Sequence, residues 1–405
     1  MSAFGDVEML PPDGIYGIAA NAKADPDVVA NLVIGAYRDE EGKPFILPSV
    51  GAAKEERAAD PTVIHEYLPI RGNAEFAAAA AGLILGPDSP AGGRTASVQA
   101  LSGTGALRVL AEFVANVLPE GTSVYLSDPS WGNHVKVLGK AGLPVVRYRY
   151  YDSETCGLDF AGMCEDLEAA PEGSVVLLHM CAHNPSGVDP SLEQWEAVAE
   201  ICARKSLLPW FDAAYQGFAS GDPDADAASL RLFVAKGLPC LLAQSFAKNA
   251  GLYGERIGAA HIVASSPEEV PALYSQLEAI IRPMYSSPPR YFADIVLALL
   301  TQPELNAAWH QDLKTMSSRI ADMRQALFDA LAQHNAPGDW SHILNQIGMF
   351  SYTGLTKTQC QALMDDHHVY LLTSGRISMS GLNPSNVSAV AAAIAAVVRD
   401  HPSSD

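Results

Sequence analysis

Short apolar runs alternate with helical patterns from about residue 95 to residue 265. This alternation predicts an α/β fold in which helices cover both faces of a mostly parallel sheet. Four of the runs lead into polar residues: 123–126 into Asp128, 174–178 into His183 and Asn184, 207–211 into Asp212, and 238–243 into Ser245 and Lys248. Open α/β sheets bind ligands at the carboxyl ends of their strands, so we expect these polar residues to surround a site.

A helix is predicted between the second and third of these runs. Asp189 supplies a cap, Pro190 the first helical position and Glu193 an acid in the first turn. Apolar residues then recur at steps of three and four and form a buried stripe: Trp195, Val198, Ile201 and Cys202. The two strands and this helix are therefore a βαβ unit.

A chain of 405 residues is too long for one ordinary core, and a second, smaller domain is predicted near its end. The boundary follows residues 301–304 (TQPE), and long helical patterns continue to about residue 335. An antiparallel element around 349–352 and 369–373 and a final helix over 384–399 complete that domain. We predict an N-terminal arm with part of the small domain at 1–45, a large domain at 46–310 and a small α+β domain at 311–405.

The charge balance excludes two classes of partner. The chain has 26 Lys and Arg against 46 Asp and Glu, a formal net charge of -20. Such an acidic body repels nucleic acids and anionic membranes, so we expect neither as a partner. An anionic small substrate would have to be held by individual arginines.

Cysteine spacing and the N-terminus predict an intracellular protein. The six cysteines lack CxxC or metal-type spacing and indicate reduced thiols and no metal site. The first 13 residues hold three acids and no base, unlike a secretory signal or an Arg-rich transit peptide, and no apolar stretch has the length of a bilayer. We therefore expect a cytoplasmic protein.

Lys248 is the first candidate catalytic residue. It follows an apolar run and stands among small and polar residues, with Ser245 before it and Arg256 after it. Desolvation at the end of a buried strand favours a free amine, which can form a Schiff base, although a lone lysine is more often a solvated surface charge. The hydroxyl of Ser245 and the guanidinium of Arg256 suit an anchored phosphate. Together the three residues suggest pyridoxal phosphate.

The other groups that pyridoxal phosphate requires also follow apolar runs. Asp212 is a carboxylate in an apolar context, which is costly unless it pairs with a cation such as a protonated pyridine nitrogen. Tyr215 and Asn184 could hydrogen-bond the phenolic oxygen. Residues 101–108 (LSGTGALR) form a Gly-rich turn before an apolar helix, which suits the phosphate but would equally suit an ordinary helix start.

Three longer segments resemble the signature segments of class I aminotransferases, and of the aspartate aminotransferases above all. They are 179–187 (HMCAHNPSG), 211–219 (FDAAYQGFA) and 245–256 (SFAKNAGLYGER). Shorter matching segments follow the family's order between residues 31 and 382, among them 35–39, 66–69, 130–134, 281–286, 348–351 and 374–376. The resemblance implies the fold of pyridoxal-phosphate-dependent transferases, the cofactor pyridoxal 5'-phosphate in the large domain, and a homodimer with shared active sites.

The resemblance also implies a role for each matching residue. Lys248 resembles the lysine that forms the Schiff base and moves the substrate proton, and Asp212 resembles the partner of the pyridine nitrogen. Asn184 and Tyr215 resemble the partners of the phenolic oxygen. The phosphate cradle would consist of Ser102, Gly103, Thr104, Ser245 and Arg256, completed by the partner subunit's Tyr67.

Substrate contacts are implied in the same way. Trp131 resembles the indole that stacks on the pyridine ring, and Arg376 the arginine that binds the substrate α-carboxylate. Arg282 resembles the arginine that binds the distal carboxylate across the dimer interface. With Gly35 and Asn184, these residues make up the predicted substrate site. Three histidines adjoin the motifs, and we expect them to support the site rather than act as acids or bases: His134, His179 and His183.

Four positions depart from the pattern of the family. Ala247 stands in place of a serine, Ala250 in place of an aromatic residue, and Gly254 and Ser287 in place of asparagines. These smaller or less polar residues predict a looser pocket around Lys248 and Arg282. Such a pocket would admit an aromatic side chain if Arg282 swings aside.

The resemblance predicts reversible amino transfer from L-aspartate to 2-oxoglutarate, giving oxaloacetate and L-glutamate in two half-reactions. The substrates would thus be small amino acids and 2-oxo acids. A broad-specificity aspartate and aromatic aminotransferase is the alternative. A lyase of the same fold is disfavoured by Arg282, and a protein that binds amino acids without catalysis is disfavoured by the intact set of lysine, aspartate and arginines.

Overall fold

The fold is given by a computed structural model that describes residues 3–402. The helices are α1 Gly14–Ala24, α2 Pro48–Ala59, α3 Ala74–Leu85, α4 Ser102–Val117, α5 Asn133–Lys140, α6 Phe160–Ala169, α7 Leu192–Arg204, α8 Pro223–Asp226, α9 Ala228–Ala235, α10 Val270–Tyr285, α11 Tyr291–Thr301, α12 Pro303–Gln333, α13 His342–Asn345, α14 Lys357–His367 and α15 Val387–Asp400. The strands are β1 Ala30–Asn31, β2 Thr95–Leu101, β3 Val124–Asp128, β4 Val145–Arg149, β5 Tyr151–Asp152, β6 Gly157–Leu158, β7 Val175–His179, β8 Leu208–Ala213, β9 Cys240–Ser245, β10 Ile257–Val263, β11 Phe350–Tyr352, β12 Val369–Tyr370 and β13 Arg376–Ser378.

A seven-stranded sheet within residues 3–402 has the order β2-β10-β9-β8-β7-β3-β4. Only β10 runs against its neighbours, β2 and β9, so the predicted α/β fold with a mostly parallel sheet is confirmed. Strands β7, β9 and β10 are buried at every position because apolar cores cover both faces. One core contains side chains of α4, α5 and α10, and the other contains side chains of α3, α7 and α9.

The predicted start of the helix after β7 is wrong by two residues. Helix α7 begins at Leu192 and is capped by Ser191, which exchanges hydrogen bonds with Gln194. Pro190 therefore precedes the helix, and Asp189 accepts hydrogen bonds from the backbone of residues 182 and 183 instead. Asp189 and Ser191 are both good capping residues, but the carboxylate of Asp189 is already bonded to the loop before the helix.

The C-terminal region differs from the prediction in its strand pairing. Strand β11 pairs antiparallel with β13, whereas β12 pairs parallel with the distant β1. The apolar run at 369–373 thus forms a strand with a partner more than 300 positions away, which local pattern does not reveal. The long helix after residue 303 is confirmed, and it crosses the predicted boundary at residue 310. The final helix begins at Val387, three residues later than predicted. The preceding turn is held by Asn383 Oδ1, which accepts hydrogen bonds from the backbone N–H groups of residues 385 and 386.

Membrane-spanning helices and clusters of metal ligands are both absent from the described residues. No helix within residues 3–402 is long and apolar enough to cross a membrane. The same residues contain no group of three or more His, Cys, Asp or Glu side chains arranged to hold a metal ion.

Candidate active site

A cavity of about 300 Å³ lies where β3, β7, β8 and β9 end. Twelve of the residues predicted from the sequence line it: Gly35, Ser102, Gly103, Thr104, Trp131, Asn184, Asp212, Tyr215, Ser245, Lys248, Arg256 and Arg376. The cavity is also lined by Ile15 and Tyr16 of α1, which sequence reasoning missed. The carboxyl ends of the parallel strands therefore converge on one pocket, as expected.

Lys248 is held in the turn that follows β9, at the wall of this cavity. Its Nζ lies 5.0 Å from the centre of the Tyr215 ring. Burial lowers the pKa of Lys248 to about 8, and the nearby charges of Arg256 and Arg376 act in the same direction against Asp212. A substantial fraction of this amine is therefore neutral near physiological pH and able to act as a nucleophile.

Asp212 is a buried carboxylate at the end of β8, and a chain of hydrogen bonds fixes its charge. The backbone N–H of Asn184 donates to His179 Nδ1 (3.3 Å), so a neutral His179 presents Nε2–H to Ser130 (3.2 Å). The Ser130 hydroxyl then donates to His134 Nδ1 (3.0 Å), and His134 Nε2 donates to Asp212 (2.8 Å). Burial alone would raise the pKa of Asp212, but the bond from His134 leaves it below the ordinary value. Asp212 is therefore ionised and suited to pair with a cationic ring nitrogen.

His134 and His179 take part in this series of hydrogen bonds, whereas His183 bonds Ser127 and Ser186. Their supporting role stays a prediction. Burial and the neighbouring His134 lower the pKa of His179 to about 3, so its ring stays neutral. Burial also lowers the pKa of His183. The role of Ser130 was missed, because only the fold brings its hydroxyl between two rings that are 45 positions apart in the chain.

The start of α4 has features that suit an anion-binding cradle. The sequence predicts a Gly-rich turn before this helix, and that prediction is wrong. The helix begins at Ser102 itself, so the Gly-rich stretch is its first turn. No side chain caps α4, which leaves its first amides free to bind an anion. The hydroxyls of Ser102 and Ser245 are 3.0 Å apart. A Cβ on Gly103 would lie 3.1 Å from Ser245, so glycine keeps this cradle open.

These features fit the cofactor expected from the sequence. Arg256, at φ +60, adds a fixed positive charge to the cavity wall beside the hydroxyls and free amides. Such a donor set suits a phosphate dianion. Lys248 and Asp212 lie in the same cavity and offer an amine for an aldehyde and a carboxylate for a ring nitrogen. The residues present therefore fit pyridoxal 5'-phosphate.

Arg376 is a buried guanidinium with donors to spare. Its Nη2 donates to the carbonyl of Val33 (2.7 Å), and its Nη1 donates to Asn184 Oδ1 (3.3 Å). Its Nε has no partner among the described residues. Burial lowers the pKa of Arg376 to about 10, so the group stays charged at neutral pH. A charged, buried fork with an unused donor suits a substrate carboxylate.

Phe350 supports this arginine and explains the need for glycine at position 35. The Arg376 guanidinium carbon lies 4.1 Å from the centre of the Phe350 ring. A Cβ on Gly35 would lie only 2.5 Å from Phe350 Cζ. Gly35 therefore makes room for the ring that holds Arg376, while its predicted contact with substrate stays a prediction. The sequence signal for Phe350 was weak because a single aromatic residue is most often core.

We predict that Gly35→Ala displaces the Phe350 ring and weakens binding of the amino acid substrate. The added methyl overpacks a filled site, which costs about 1–3 kcal/mol. The measurement is the KM for amino acid together with thermal unfolding. Gly82→Ala is the control, because a Cβ there meets nothing within 4 Å and lies on α3. An unchanged KM in Gly35→Ala would contradict the role given to Phe350.

Two predicted residues lie outside the cavity. Tyr67 is 83% exposed and lies with Ser287 at a separate surface depression. Arg282 is exposed near the end of α10, where it donates to Ser286. Both residues were expected to act on a neighbouring subunit, and that role stays a prediction.

The chain is similar to known proteins over nearly its whole length. Residues 27–394 match the family model described as aminotransferase class I and II. The chain is 51% identical over 400 residues to the cytoplasmic aspartate aminotransferase of Oryza sativa subsp. japonica, covering 98% of both chains. Relatives of similar identity are named for the chloroplast and the mitochondrion.

The chain is also similar to solved structures of aminotransferases. The cytoplasmic aspartate aminotransferase of Saccharomyces cerevisiae superposes with a TM-score of 0.96 at 47% identity, covering 98% of this chain and 99% of that one. An aromatic-amino-acid aminotransferase from Burkholderia pseudomallei, covalently bound to pyridoxal phosphate, gives 0.94 at 43% identity and covers 98% and 100%. The family match spans most of the chain, and the relatives match nearly its whole length. This chain belongs to the class I and II aminotransferase family.

Proposed function

We propose that this protein transfers the amino group of L-aspartate to 2-oxoglutarate, with pyridoxal 5'-phosphate as cofactor. One observation carries the proposal: a partly neutral Lys248, an ionised Asp212 and Arg376 line the same cavity. The high identity to proteins named aspartate aminotransferases supports aspartate as the amino donor.

The chain's own residues supply binding, orientation and proton transfer. When bound, the cofactor supplies an aldehyde that condenses with amino groups and a protonated ring that withdraws electrons from the reacting carbon. Asp212 would keep that ring nitrogen protonated, and Asn184 and Tyr215 would bind the phenolic oxygen. Burial raises the pKa of Tyr215, so its hydroxyl stays a donor. Lys248 Nζ would act as the base that takes the proton from the substrate Cα.

Arginines position the dicarboxylate substrate at its two ends. Arg376 binds the α-carboxylate through its unused donors, and Arg282 of the partner subunit binds the distal carboxylate. The exposure of Arg282 and Tyr67 outside their own cavity supports this arrangement. Exposed apolar residues near them, Ile64, Met284 and Tyr291, support burial in a homodimer. Light scattering of the purified protein measures the assembly directly.

Half-reactions test the proposed function most directly. The cofactor-loaded protein is mixed with aspartate, glutamate, tyrosine or phenylalanine, and the loss of the imine absorbance is followed. We expect aspartate and glutamate to convert the cofactor fastest and to release oxaloacetate and 2-oxoglutarate. Release of pyruvate or ammonia instead would indicate a lyase, and a protein that never shows the imine band would contradict the proposal.

We predict that Arg282→Leu lowers kcat/KM for aspartate about 10²- to 10³-fold. The variant loses a charge-assisted pair of hydrogen bonds of about 3–4 kcal/mol. Activity with phenylalanine should stay equal or increase, because its side chain has no carboxylate to bind. Arg204→Leu, which removes an exposed arginine paired with Glu168, is the control. Equal losses for aspartate and phenylalanine would show that Arg282 does not hold the distal carboxylate.

A broader substrate range is the second candidate. Ala247 lines the cavity, and Ala250 is buried nearby. Both stand where the family has larger or more polar side chains, which would leave more room in the pocket. A structural neighbour is named an aromatic-amino-acid aminotransferase. The phenylalanine arm of the half-reaction panel separates this candidate from a strict aspartate enzyme.

The organisation and cellular place of the protein are proposed on the same basis. We propose the domain boundaries given by the sequence, with the cofactor in the large domain at 46–310. The relative named for the cytoplasm supports a cytoplasmic enzyme, although chloroplast and mitochondrial relatives are similarly close. Fractionation of the source cells tests this location.

A further inference from the structure

Asp189 holds the loop that carries Asn184, although it does not line the cavity. Its Oδ2 accepts a hydrogen bond from the Ala182 amide (2.6 Å), and its Oδ1 accepts one from the His183 amide (2.9 Å). Burial raises the pKa of Asp189 to about 6 against the effect of these two bonds, and both of its oxygens act as acceptors, as those of a carboxylate do. One carboxylate thus binds the two amides that directly precede Asn184.

The backbone at this point needs such support. Ala182 has φ +50, a conformation that costs a residue with a Cβ of the order of 1–2 kcal/mol. The far side of the loop is closed by residues 347–348: Gly187 accepts a bond from the Ile347 amide (2.7 Å), and a Cβ on Gly348 would lie 2.3 Å from the Ala182 Cβ. The loop is therefore fixed between Asp189 and this C-terminal segment.

Asn184 connects this loop to the arginine of the substrate site and to the hydrogen bonds that lead to Asp212. Its side-chain Oδ1 accepts the bond from Arg376 Nη1, and its backbone N–H donates to His179. A shift of the loop would therefore change two things at once: the donor to the phenolic oxygen of the cofactor and the orientation of the arginine fork.

We infer that Asp189 is a positioning residue that holds Asn184 against both the cofactor oxygen and Arg376. This inference rests on the proposed function, because it requires a cofactor oxygen beside Asn184. Asp189 acts through the backbone of residues 182 and 183 and touches neither substrate nor cofactor. The sequence gives it a different role, as a helix cap, and Ser191 performs that role.

Asp189→Asn tests the inference, because the amide keeps one acceptor oxygen and loses the other. The absorbance of the imine is titrated with pH in the cofactor-loaded protein. A donor to the phenolate favours the deprotonated imine, so its weakening raises the imine pKa by about 0.5–1 unit. The KM for aspartate should rise roughly three- to tenfold while kcat changes less, because the arginine fork loses its fixed partner.

The control is Asp159→Asn, which removes a carboxylate that caps α6 through the Gly162 amide. It should leave stability, the imine pKa and the KM near those of the parent, because asparagine caps a helix about as well as aspartate. The comparison separates the positioning role of Asp189 from the mere loss of a carboxylate. If Asp189→Asn does not fold, Asp189→Glu takes its place, since it keeps the charge but shifts both oxygens by one methylene. It is expected to give a smaller rise in the same direction.

Hydrogen exchange of the segment 180–187 provides a readout that needs no cofactor. Faster exchange in Asp189→Asn than in Asp159→Asn, together with the raised imine pKa, is the expected result. An unchanged imine pKa in a folded Asp189 variant would overturn the inference, as would unchanged exchange. A parent protein without an imine band would instead contradict the proposed function, while the exchange result still reports on the role of Asp189 in the loop.

Discussion

Lys248→Ala is expected to abolish covalent attachment of the cofactor and to lower turnover by about 10⁴-fold or more. The variant loses the nucleophile and the group that moves the substrate proton, and proton transfer alone contributes about 10²–10⁴. No other lysine lines the cavity within the described residues. A substitute amine therefore does not lie in reach of the cofactor aldehyde.

Reduction with borohydride followed by intact mass measures the attachment. The parent chain should gain the mass of the reduced cofactor, and the Lys248→Ala chain should not. Lys236→Ala is the control, because Lys236 pairs with Glu196 at the surface and lies outside the cavity. A mass gain in Lys248→Ala would show that another lysine carries the cofactor.

The same variant has a pH signature in the absence of cofactor. The pKa of Lys248 is about 8 in the folded chain against 10.5 for an ordinary lysine, so the unfolded chain binds more protons between these values. The free energy of unfolding of the parent, relative to Lys248→Ala, should therefore rise as pH increases from 8 to 10.5. A flat difference over that window would mean that burial does not lower the pKa of this amine.

The strand ends of the site were predictable because two regularities act together. A strand buried on both faces is a continuous apolar run, and ligands meet the carboxyl ends of such strands. Asp212 lies at the end of one such run, and Lys248 lies in the turn after another, so their convergence could be expected before the fold was known. The resemblance to a family then supplied Arg376, which follows no such run.

Other features depend on contacts between distant parts of the chain. The role of Asp189 could not be predicted because a capping residue and a loop anchor use the same carboxylate acceptors. The partner of β12 lies near the N-terminus, and the ring of Phe350 reaches Arg376 only through the pairing of β11 with β13. Local sequence sets which elements form, whereas these pairings follow from packing of the whole chain.

Asp212→Asn is expected to lower kcat/KM for aspartate about 10²- to 10⁴-fold while the imine band persists. Breaking a buried charge pair costs about 3–5 kcal/mol, and here the loss applies to the protonated ring that stabilises negative charge at the substrate Cα. Lys248 is unchanged, so the aldehyde still condenses with its amine. This split between attachment and turnover distinguishes Asp212 from Lys248.

The measurements for Asp212→Asn are the rate of the aspartate half-reaction and the absorbance of the bound cofactor. Asp212→Glu should recover part of the rate, because it restores the charge at a slightly different position, whereas Asp159→Asn should behave as the parent. Near-normal turnover in Asp212→Asn would contradict the role of Asp212 as the anionic partner of the ring nitrogen. A neutral amide could still hydrogen-bond His134 Nε2, but it carries no charge to stabilise a protonated ring. The hydrogen bonds from Asn184 through His179 and Ser130 would then serve the fold alone, and the electron-withdrawing power of the ring would have to come from another group.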